Sequence, residues 1–157
     1  MTPQDTTDDD ENDYHPHGEL TLRTLAMPAD TNPSGDVFGG WLMGQMDIAG
    51  GISAGIRALG RVATVAVDGF VFHKPVNVGD VLCCYTDIRS SGETSITISV
   101  EAWVLRRHAP SQKDKVTEGL FTFVALDDAG NKRPLPAPQS SRSENLLRRP
   151  TSKRIRR

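Results

Sequence analysis

Twenty consecutive residues, from Val37 to Ile56, carry only one charged side chain, that of Asp47. The stretch is too long for a strand and lacks a two-residue alternation of apolar side chains, so it predicts an α-helix from Gly40 to about Gly55. Twenty residues also match the length of a membrane span. A carboxylate near the centre of a span would cost about 2.5–3.5 kcal/mol, and no aromatic belt or flanking charge pattern accompanies the stretch. We therefore predict a helix buried in a globular domain and no membrane span.

The predicted helix has two contrasting sides when its residues are placed 100° apart. Each glycine inside a helix costs about 0.5–1 kcal/mol relative to alanine, so five of them on one side need a reason. Either a strand or a second helix packs closely there, or the side lines a cleft. One side carries Trp41, Gln45, Ile48, Ala49, Ile52 and Ile56; the other carries Asp47 with Met43, Ala54, Gly40, Gly44, Gly50, Gly51 and Gly55.

The isolated carboxylate of Asp47 must meet a hydrogen-bonding partner or face a cleft. It is therefore either a buried structural residue or a functional group. The glycines Gly39 and Gly40 support the second interpretation, because the first N–H groups of a helix have no carbonyl partner and glycine lets another molecule approach them. Such N–H groups stabilise an oxyanion. The combination predicts acyl transfer at a carbonyl group, with Asp47 attacking the carbonyl carbon or activating water.

The sequence on either side of the helix predicts strands and turns. The clearest alternation runs from Thr94 to Leu105, where every second residue is apolar. One helix of about four turns with about five strands, four of them in an antiparallel run, predicts a two-layer α+β domain in which a curved sheet wraps the helix. The predicted strands are Glu19–Leu25, Arg61–His73, Val81–Ile88, Thr94–Leu105 and Val116–Leu126.

Charge divides the chain into a domain with two tails. Residues 1–17 contain six acids and no Lys or Arg, whereas residues 132–157 contain nine Lys and Arg and one acid. We predict a disordered acidic arm (1–17), one folded domain (18–136) and a disordered basic tail (137–157). The net charge of −2 gives no reason to expect a nucleic-acid partner. The tail has either no specific role or a contact with an acidic partner.

The cysteines and the amino terminus predict a cytoplasmic protein. Cys83 and Cys84 are adjacent, so on a strand they point to opposite faces and are poorly placed to pair. Free thiols are typical of a reducing compartment. The acidic amino terminus does not resemble a secretory signal.

Other chemistries lack their motifs. No zinc spacing, phosphate loop or GxSxG elbow is present, so we expect neither a metal nor a cofactor. His73 is predicted to be a surface or turn residue. Arg106 and Arg107 end a predicted strand as a solvated pair, or they meet a phosphate.

Six segments, in order along residues 20–136, closely resemble the hotdog-fold acyl-CoA thioesterases of the bacterial YciA type. The resemblance implies a helix inside a curved antiparallel sheet, which agrees with the count of elements. It also implies dimers whose sheets join edge to edge, further assembled into trimers of dimers, with active sites at the dimer interface. The segments are TLAMPADTN (24–32), GDVFGGWLM (35–43), QMD (45–47), GRVATVAV (60–67), KPVNVGDV (74–81) and FTFVA (121–125).

The same resemblance implies hydrolysis of acyl-CoA thioesters to a free acid and CoA, and it suggests roles for single residues. Asp47 corresponds to the family's nucleophile or general base. Asn32 corresponds to a residue that positions water or substrate from the other subunit, and the N–H of Gly40 to the group that polarises the thioester carbonyl. Candidates for the apolar slot of the pantetheine arm are Val65, Val67 and Phe70; Lys74, Arg106 and Arg107 are candidates for contacts with the CoA phosphates.

Two alternatives stay open at this point. One is a hydratase or dehydratase of the same fold, which would need a histidine beside a carboxylate; His73 is the only histidine within the predicted strands and helix. The other is a non-catalytic acyl-CoA sensor or scaffold that uses its basic tail to bind a partner.

Overall fold

The uncharged glycine-rich stretch forms a single helix that lies across a five-stranded sheet in the computed structural model, which describes residues 14–138. The sheet is antiparallel throughout, with the strand order β1-β3-β4-β5-β2. The α+β prediction is therefore confirmed. The elements are β1 (Glu19–Leu25), a 3-10 turn (Pro28–Asp30), α1 (Gly39–Ala58), β2 (Val62–Asp68), β3 (Val81–Ser91), β4 (Ser95–Arg106) and β5 (Ala109–Ala125).

Two strand boundaries differ by five residues or more from those predicted. The strand predicted from Arg61 to His73 ends at Asp68, because Gly69 adopts a φ of 75° that takes the chain off the ladder. The strand predicted to begin at Val116 begins instead at Ala109. Its first residues are polar and show no apolar alternation, but they pair with the end of β4 in a hairpin. Cross-strand pairing thus extends β5 where side-chain periodicity predicts no strand.

The core forms between α1 and the inner face of the sheet. Every residue of the predicted inward face of β4 is buried: Ile96, Ile98, Val100, Ala102 and Val104. The buried residues of the helix are Leu42, Met46, Ala49, Gly50, Ala54 and Ala58. Small side chains dominate this helical face, so the helix lies close to the sheet. The isoleucines at 48, 52 and 56 point away from the sheet and are exposed within the chain, Ile56 to 71%.

Gly50 is the helical glycine that the close packing within the chain requires. A Cβ at Gly50 would lie 2.9 Å from the ring of Phe123, which is shorter than a carbon–carbon contact allows. At the neighbouring Gly51 the same ring would be 3.7 Å away, an ordinary contact. At Gly40 and Gly44 nothing lies within 4 Å. Close packing of a strand thus accounts for Gly50, while no neighbour among residues 14–138 accounts for Gly40 and Gly44.

Replacing Gly50 by alanine is expected to destabilise the protein even though alanine is the better helix former. Overpacking against Phe123 costs about 1–3 kcal/mol, which exceeds the gain in helix propensity of at most about 1 kcal/mol. Gly51→Ala is the matched control, and its thermal midpoint should equal or exceed that of the wild type. A midpoint for Gly50→Ala above that of Gly51→Ala would contradict the packing argument. Thermal unfolding followed by circular dichroism measures both.

The amino-terminal end of the described chain contacts the outer face of the sheet. The ring of Tyr14 packs edge-on against Trp103, with 6.3 Å between the ring centres. His17 Nδ1 lies 2.8 Å from Oε1 of Glu101, a buried carboxylate that also accepts a hydrogen bond from Trp103 Nε1. Burial acts to raise the pKa of Glu101, but the hydrogen bonds from Trp103 and His17 outweigh it and hold that pKa below its usual value.

The predicted acidic arm and basic tail fall mostly outside the described residues. Residues 14–17 belong to the predicted arm and make the contacts just given, whereas residues 1–13 and 139–157 lie beyond the described range. The domain boundaries therefore stay a prediction. Between residues 14 and 138, no helix is long and apolar enough to cross a membrane.

Candidate functional site

The loop that leads to the helix is organised around the side chain of Asn32. Its Oδ1 accepts hydrogen bonds from the backbone N–H groups of Ser34 (3.0 Å) and Asp36 (3.1 Å). Both partners are donors, so the atom that they contact must be the amide oxygen. The oxygen thus folds the loop, and the amide NH₂ is the half of the side chain that is left to donate to another molecule.

The start of α1 presents free N–H groups on an open surface. The helix begins at Gly39, and its first backbone bond runs from the N–H of Leu42 to the carbonyl of Phe38 (3.3 Å). The N–H groups before Leu42 therefore lack a carbonyl one turn earlier. A Cβ at Gly40 would meet nothing within 4 Å, so a ligand can reach its N–H from that side. This is the arrangement that polarises a carbonyl oxygen.

The carboxylate of Asp47 is half-buried and meets a hydroxyl from the sheet. Thr64, on β2, donates a hydrogen bond of 2.6 Å from Oγ1 to Asp47 Oδ1. Among residues 14–138 the carboxylate has no other hydrogen-bond or ion-pair partner. Thr64 is absent from the residues predicted as functional, because only the pairing of β2 with β5 shows that it faces the helix.

Asp47 and the helix start are well separated within one chain. Seven residues separate Gly40 from Asp47, which corresponds to about 10 Å along the axis at 1.5 Å per residue. The Asn32 loop lies beyond the helix start, where the N–H of Phe38 bonds to the carbonyl of Asp30 (2.9 Å). One chain therefore carries two parts of a site, Asn32 with Gly40 at the helix start and Asp47 with Thr64 two turns further on.

A cavity of about 320 Å³ opens beside the helix start. Its walls are mainly apolar and include Val37, Phe38, Leu42 and Phe72, and Lys74 contributes the cationic side chain. Gly39 belongs to the same wall, where its bare Cα faces the ring of Phe72. A substrate carbonyl held at the helix start would thus have an apolar chamber next to it.

The three residues predicted to form an apolar slot lie along or just beyond β2. Val65 and Val67 are on this edge strand and are largely exposed, Val65 to 55%. Phe70 follows the strand and packs edge-on against Phe121, with 5.6 Å between ring centres. None of the three lines the cavity at the helix start. The structure thus places Val65 and Val67 at the sheet edge and packs Phe70 against the core.

The predicted solvated pair Arg106–Arg107 is wrong for Arg106. Its guanidinium is mostly buried and donates to Asp114 Oδ2 (2.9 Å), Asp80 Oδ2 (2.8 Å) and the carbonyl of Pro75 (2.9 Å). A strand end near two buried carboxylates explains the difference. The hydrogen bond from Arg106 holds the pKa of Asp114 below its usual value against the effect of burial.

The other two predicted cations, Lys74 and Arg107, differ in whether a carboxylate contacts the charged group. Lys74 Nζ lies 3.3 Å from Asp114 Oδ1 and is about half exposed. The exposed Arg107 binds Asp80 through its backbone N–H, and its side chain runs over Gly79. Its guanidinium has no partner within residues 14–138. Arg107 is thus the cation most available to a phosphate.

The described part of the chain offers no metal site, and its histidine–carboxylate pair, His17 with Glu101, lies on the outer face of the sheet. It contains no cluster of three His, Cys, Asp or Glu side chains that could hold a metal. Cys83 and Cys84 are free and buried, and burial raises the pKa of Cys84 to about 12. His73 lines the cavity at the helix start and donates its backbone N–H to the carbonyl of Val116 (2.8 Å).

Comparison with known proteins finds relatives that cover most of the chain. Residues 34–110 match the thioesterase superfamily. The acyl-CoA thioester hydrolase YciA of Salmonella typhimurium is 56% identical over 126 residues, which cover 79% of this chain and 95% of that protein. A hexameric thioesterase from Yersinia pestis is 58% identical, with a TM-score of 0.75, over 78% of this chain and 99% of that one. A hexameric hotdog fold thioesterase of Campylobacter jejuni is 38% identical, with a TM-score of 0.71, over 83% and 95%.

Proposed function

The chain belongs to the YciA-type acyl-CoA thioester hydrolases of the thioesterase superfamily, and we propose that Asp47 is its catalytic carboxylate. The enzyme hydrolyses acyl-CoA thioesters to a free acid and CoA. The observation that carries the proposal is the position of Asp47: a half-buried carboxylate on an uncharged helix face, held by one hydroxyl. Release of CoA thiol from a series of acyl-CoAs of increasing chain length tests the activity and defines the range of substrates.

Two routes are open to the carboxylate. Asp47 can attack the thioester carbonyl carbon, so that the C–S bond breaks, CoA thiolate leaves and water then hydrolyses the mixed anhydride. Alternatively, it takes a proton from water, whose oxygen bonds to the carbonyl carbon as the thiolate leaves and is protonated. In both routes the N–H of Gly40 stabilises the negative charge on the carbonyl oxygen.

The second part of the proposal concerns assembly. The edge strand β2 exposes Val65 and Val67, and the outward helix side presents Ile48, Ile52 and Ile56 without a charge. An edge strand with free backbone groups is a template for a second copy. We assign β2 to a two-fold dimer interface and expect three dimers to form a hexamer, as in the hexameric thioesterases described above.

Dimer formation would also join the two separated parts of the site. Asp47 and Thr64 of one subunit would act with Asn32 and Gly40 of the other, because within one chain the helix start lies about 10 Å from Asp47 along the axis. The contact of Asp47 with β2, the strand assigned to the interface, supports this arrangement.

The structure also guides where CoA would bind. The slot for pantetheine would be formed by Val65, Val67 and Phe70 where two sheet edges meet, and the acyl chain would enter the cavity beside Gly39. Lys74 and Arg107 would contact the CoA phosphates. Arg106 keeps a supporting role, because its hydrogen bonds tie Pro75 and Asp80 to β5. The free thiols of Cys83 and Cys84 are consistent with the predicted cytoplasmic location.

Asn32 should contribute to hydrolysis through its NH₂ group. The variant Asn32→Asp retains an oxygen for the N–H groups of Ser34 and Asp36 but lacks the donor. We expect kcat/KM to fall about 10- to 100-fold, as for loss of a hydrogen bond to a charged group, with an unchanged thermal midpoint. Asn32→Ala loses the loop contacts as well and should lower both quantities. Full activity of Asn32→Asp would show that the donor is not used.

A further inference from the structure

We propose that the outer face of the sheet is the docking surface for the chain's own acidic amino-terminal segment, residues 5–13. The surface is an apolar strip between cationic side chains, and the segment brings carboxylates to it. The inference is independent of the role of Asp47 and goes beyond the hydrolysis of acyl-CoA. It also differs from the disordered acidic arm that composition alone predicts for residues 1–17.

The outer face carries an apolar cluster that is separate from the core under the helix. It consists of the buried residues Cys83, Tyr85 and Trp103, with Val81 and Leu105 packed against them. Within residues 14–138, neither the helix nor a second sheet covers this face. Apolar side chains buried on a sheet face need a cover that excludes water. Tyr14, where the described chain begins, supplies part of it by packing edge-on against Trp103. The segment that precedes Tyr14 is therefore well placed to supply the rest.

Cations flank this cluster on both sides. A row of directly paired residues crosses four strands in the order Arg23, Cys83, Trp103 and Lys115. Arg23 therefore lies on the β1 side of the thiol and the indole, and Lys115 lies on the β5 side. Lys113 occupies the next row on β5, since alternate residues of a strand share a face. An acidic segment that crosses the cluster would thus meet positive charge at either side.

Two of these three cations have no carboxylate partner in the described part of the chain. Lys115 already pairs with Glu118. Lys113 donates a hydrogen bond of 3.0 Å to the neutral hydroxyl of Tyr85, and its ammonium lies 5.5 Å from the centre of that ring. Neither Lys113 nor the exposed Arg23 forms an ion pair among residues 14–138. Arg23 and Lys113 are therefore the charges that an acidic segment would neutralise.

The described contacts show the direction in which the chain approaches this surface. His17 Nδ1 meets Oε1 of Glu101 on β4, so the buried acid of this face already has its partner. Tyr14 packs against Trp103, two residues further along the same strand. Two residues of a strand span about 7 Å, and another step of that length reaches the row of Lys113. The segment that precedes Tyr14 is thus aimed along the apolar cluster towards this lysine.

The segment has the charge and the length that this surface requires. Residues 5–13 contain six carboxylates and no Lys, Arg or His. Nine extended residues reach about 30 Å, which is more than the distance to the row of Lys113. The segment is also tethered, so its effective concentration is on the order of millimolar. Weak surface ion pairs are therefore sufficient to hold it, and the tether favours it over a free acidic partner.

Carbodiimide cross-linking of the full chain tests this docking. The reagent joins a carboxylate to a lysine amine only where the two are in contact. Oligomers assembled from a mixture of isotopically light and heavy protein are treated, and the linked peptides are identified by mass spectrometry. We expect residues 5–13 to be linked to Lys113 or Lys115 of the same chain. The links should be lost in about 1 M salt, where the Debye length is about 3 Å.

Two charge reversals give the matched comparison. Arg23→Glu reverses the cation on the β1 side of the cluster and should lower the yield of the links about two- to tenfold, as for one or two surface ion pairs. Lys132→Glu reverses an exposed cation that follows the turn after β5 and should leave the yield unchanged. Equal yields for the two variants would show that charge does not hold the segment and would overturn the proposal. The links in the wild-type chain decide it should Arg23→Glu fail to fold.

Other linked positions would also contradict the docking. Links between residues 5–13 and Lys153 would place the segment on the chain's own basic tail. Links that join only light to heavy chains would place it on a second copy. Absence of links at Lys113 and Lys115, while an amine-selective reagent modifies both, would show that the surface does not bind the segment. Acyl-CoA hydrolysis is measured separately, so none of these outcomes bears on Asp47.

Discussion

Replacing Asp47 by alanine is expected to lower kcat for acyl-CoA hydrolysis by at least about 100-fold, the lower limit for a positioned acid or base. The fold should persist, because the carboxylate is only half-buried and its hydrogen-bond partner among residues 14–138 is a single hydroxyl. CoA binding should also persist, since Lys74 lies at the cavity beside the helix start and neither Lys74 nor Arg107 contacts Asp47. Thiol release from acyl-CoA, with thermal unfolding and CoA binding measured on the same samples, checks all three.

Two further variants make this result specific. Asp47→Asn keeps the shape of the side chain and removes its charge, so it should be as inactive as alanine. Asp128→Ala removes an exposed carboxylate from the turn after β5, away from the strand assigned to the interface, and should retain wild-type kcat. Release of thiol at the wild-type rate by Asp47→Ala would leave the protein a thioesterase but require another catalytic group.

Periodicity predicts the elements that bury a regular face. The apolar residues of β4 alternate with the period of a strand, whereas the helix is predicted from its length and from the lack of that alternation. The start of β5 follows a different rule, since residues from Ala109 onward are held by pairing with β4 and not by burial of alternate side chains. The end of β2 depends on the conformation of Gly69. Sequence patterns carry little information on either kind of boundary.

The residues of the candidate site also differ in how far the sequence alone predicts them. Asp47 and Gly40 stand out in the sequence because each is unusual in its helix. Thr64 does not, since threonine is ordinary in a strand and its role depends on the register with Phe123. Arg106 shows the converse. A cation at a strand end is predicted to be solvated, and only the fold brings Asp80 and Asp114 to it. Residues that act through tertiary neighbours are thus visible only in the structure.

Mixing Asp47→Ala with Asn32→Asp, two variants of reduced activity, is expected to restore hydrolysis if the site is shared between subunits. In a two-fold dimer each interface forms two equivalent sites. A mixed dimer of Asp47→Ala and Asn32→Asp would contain one site with both defects and one site with none. Random reassortment makes half of the dimers mixed, so about a quarter of wild-type activity should return. Neither variant alone should approach this value.

The alternative arrangement gives a different number from the same mixture. If Asp47 acted with Asn32 of its own chain, every site would carry one defect, and activity would stay at the level of the separate variants. A mixture of Asp47→Ala with wild type gives about half of the wild-type activity in either case, which makes it the control for recovery of protein. Recovery in the first mixture would therefore show that the second subunit bridges the roughly 10 Å between the helix start and Asp47.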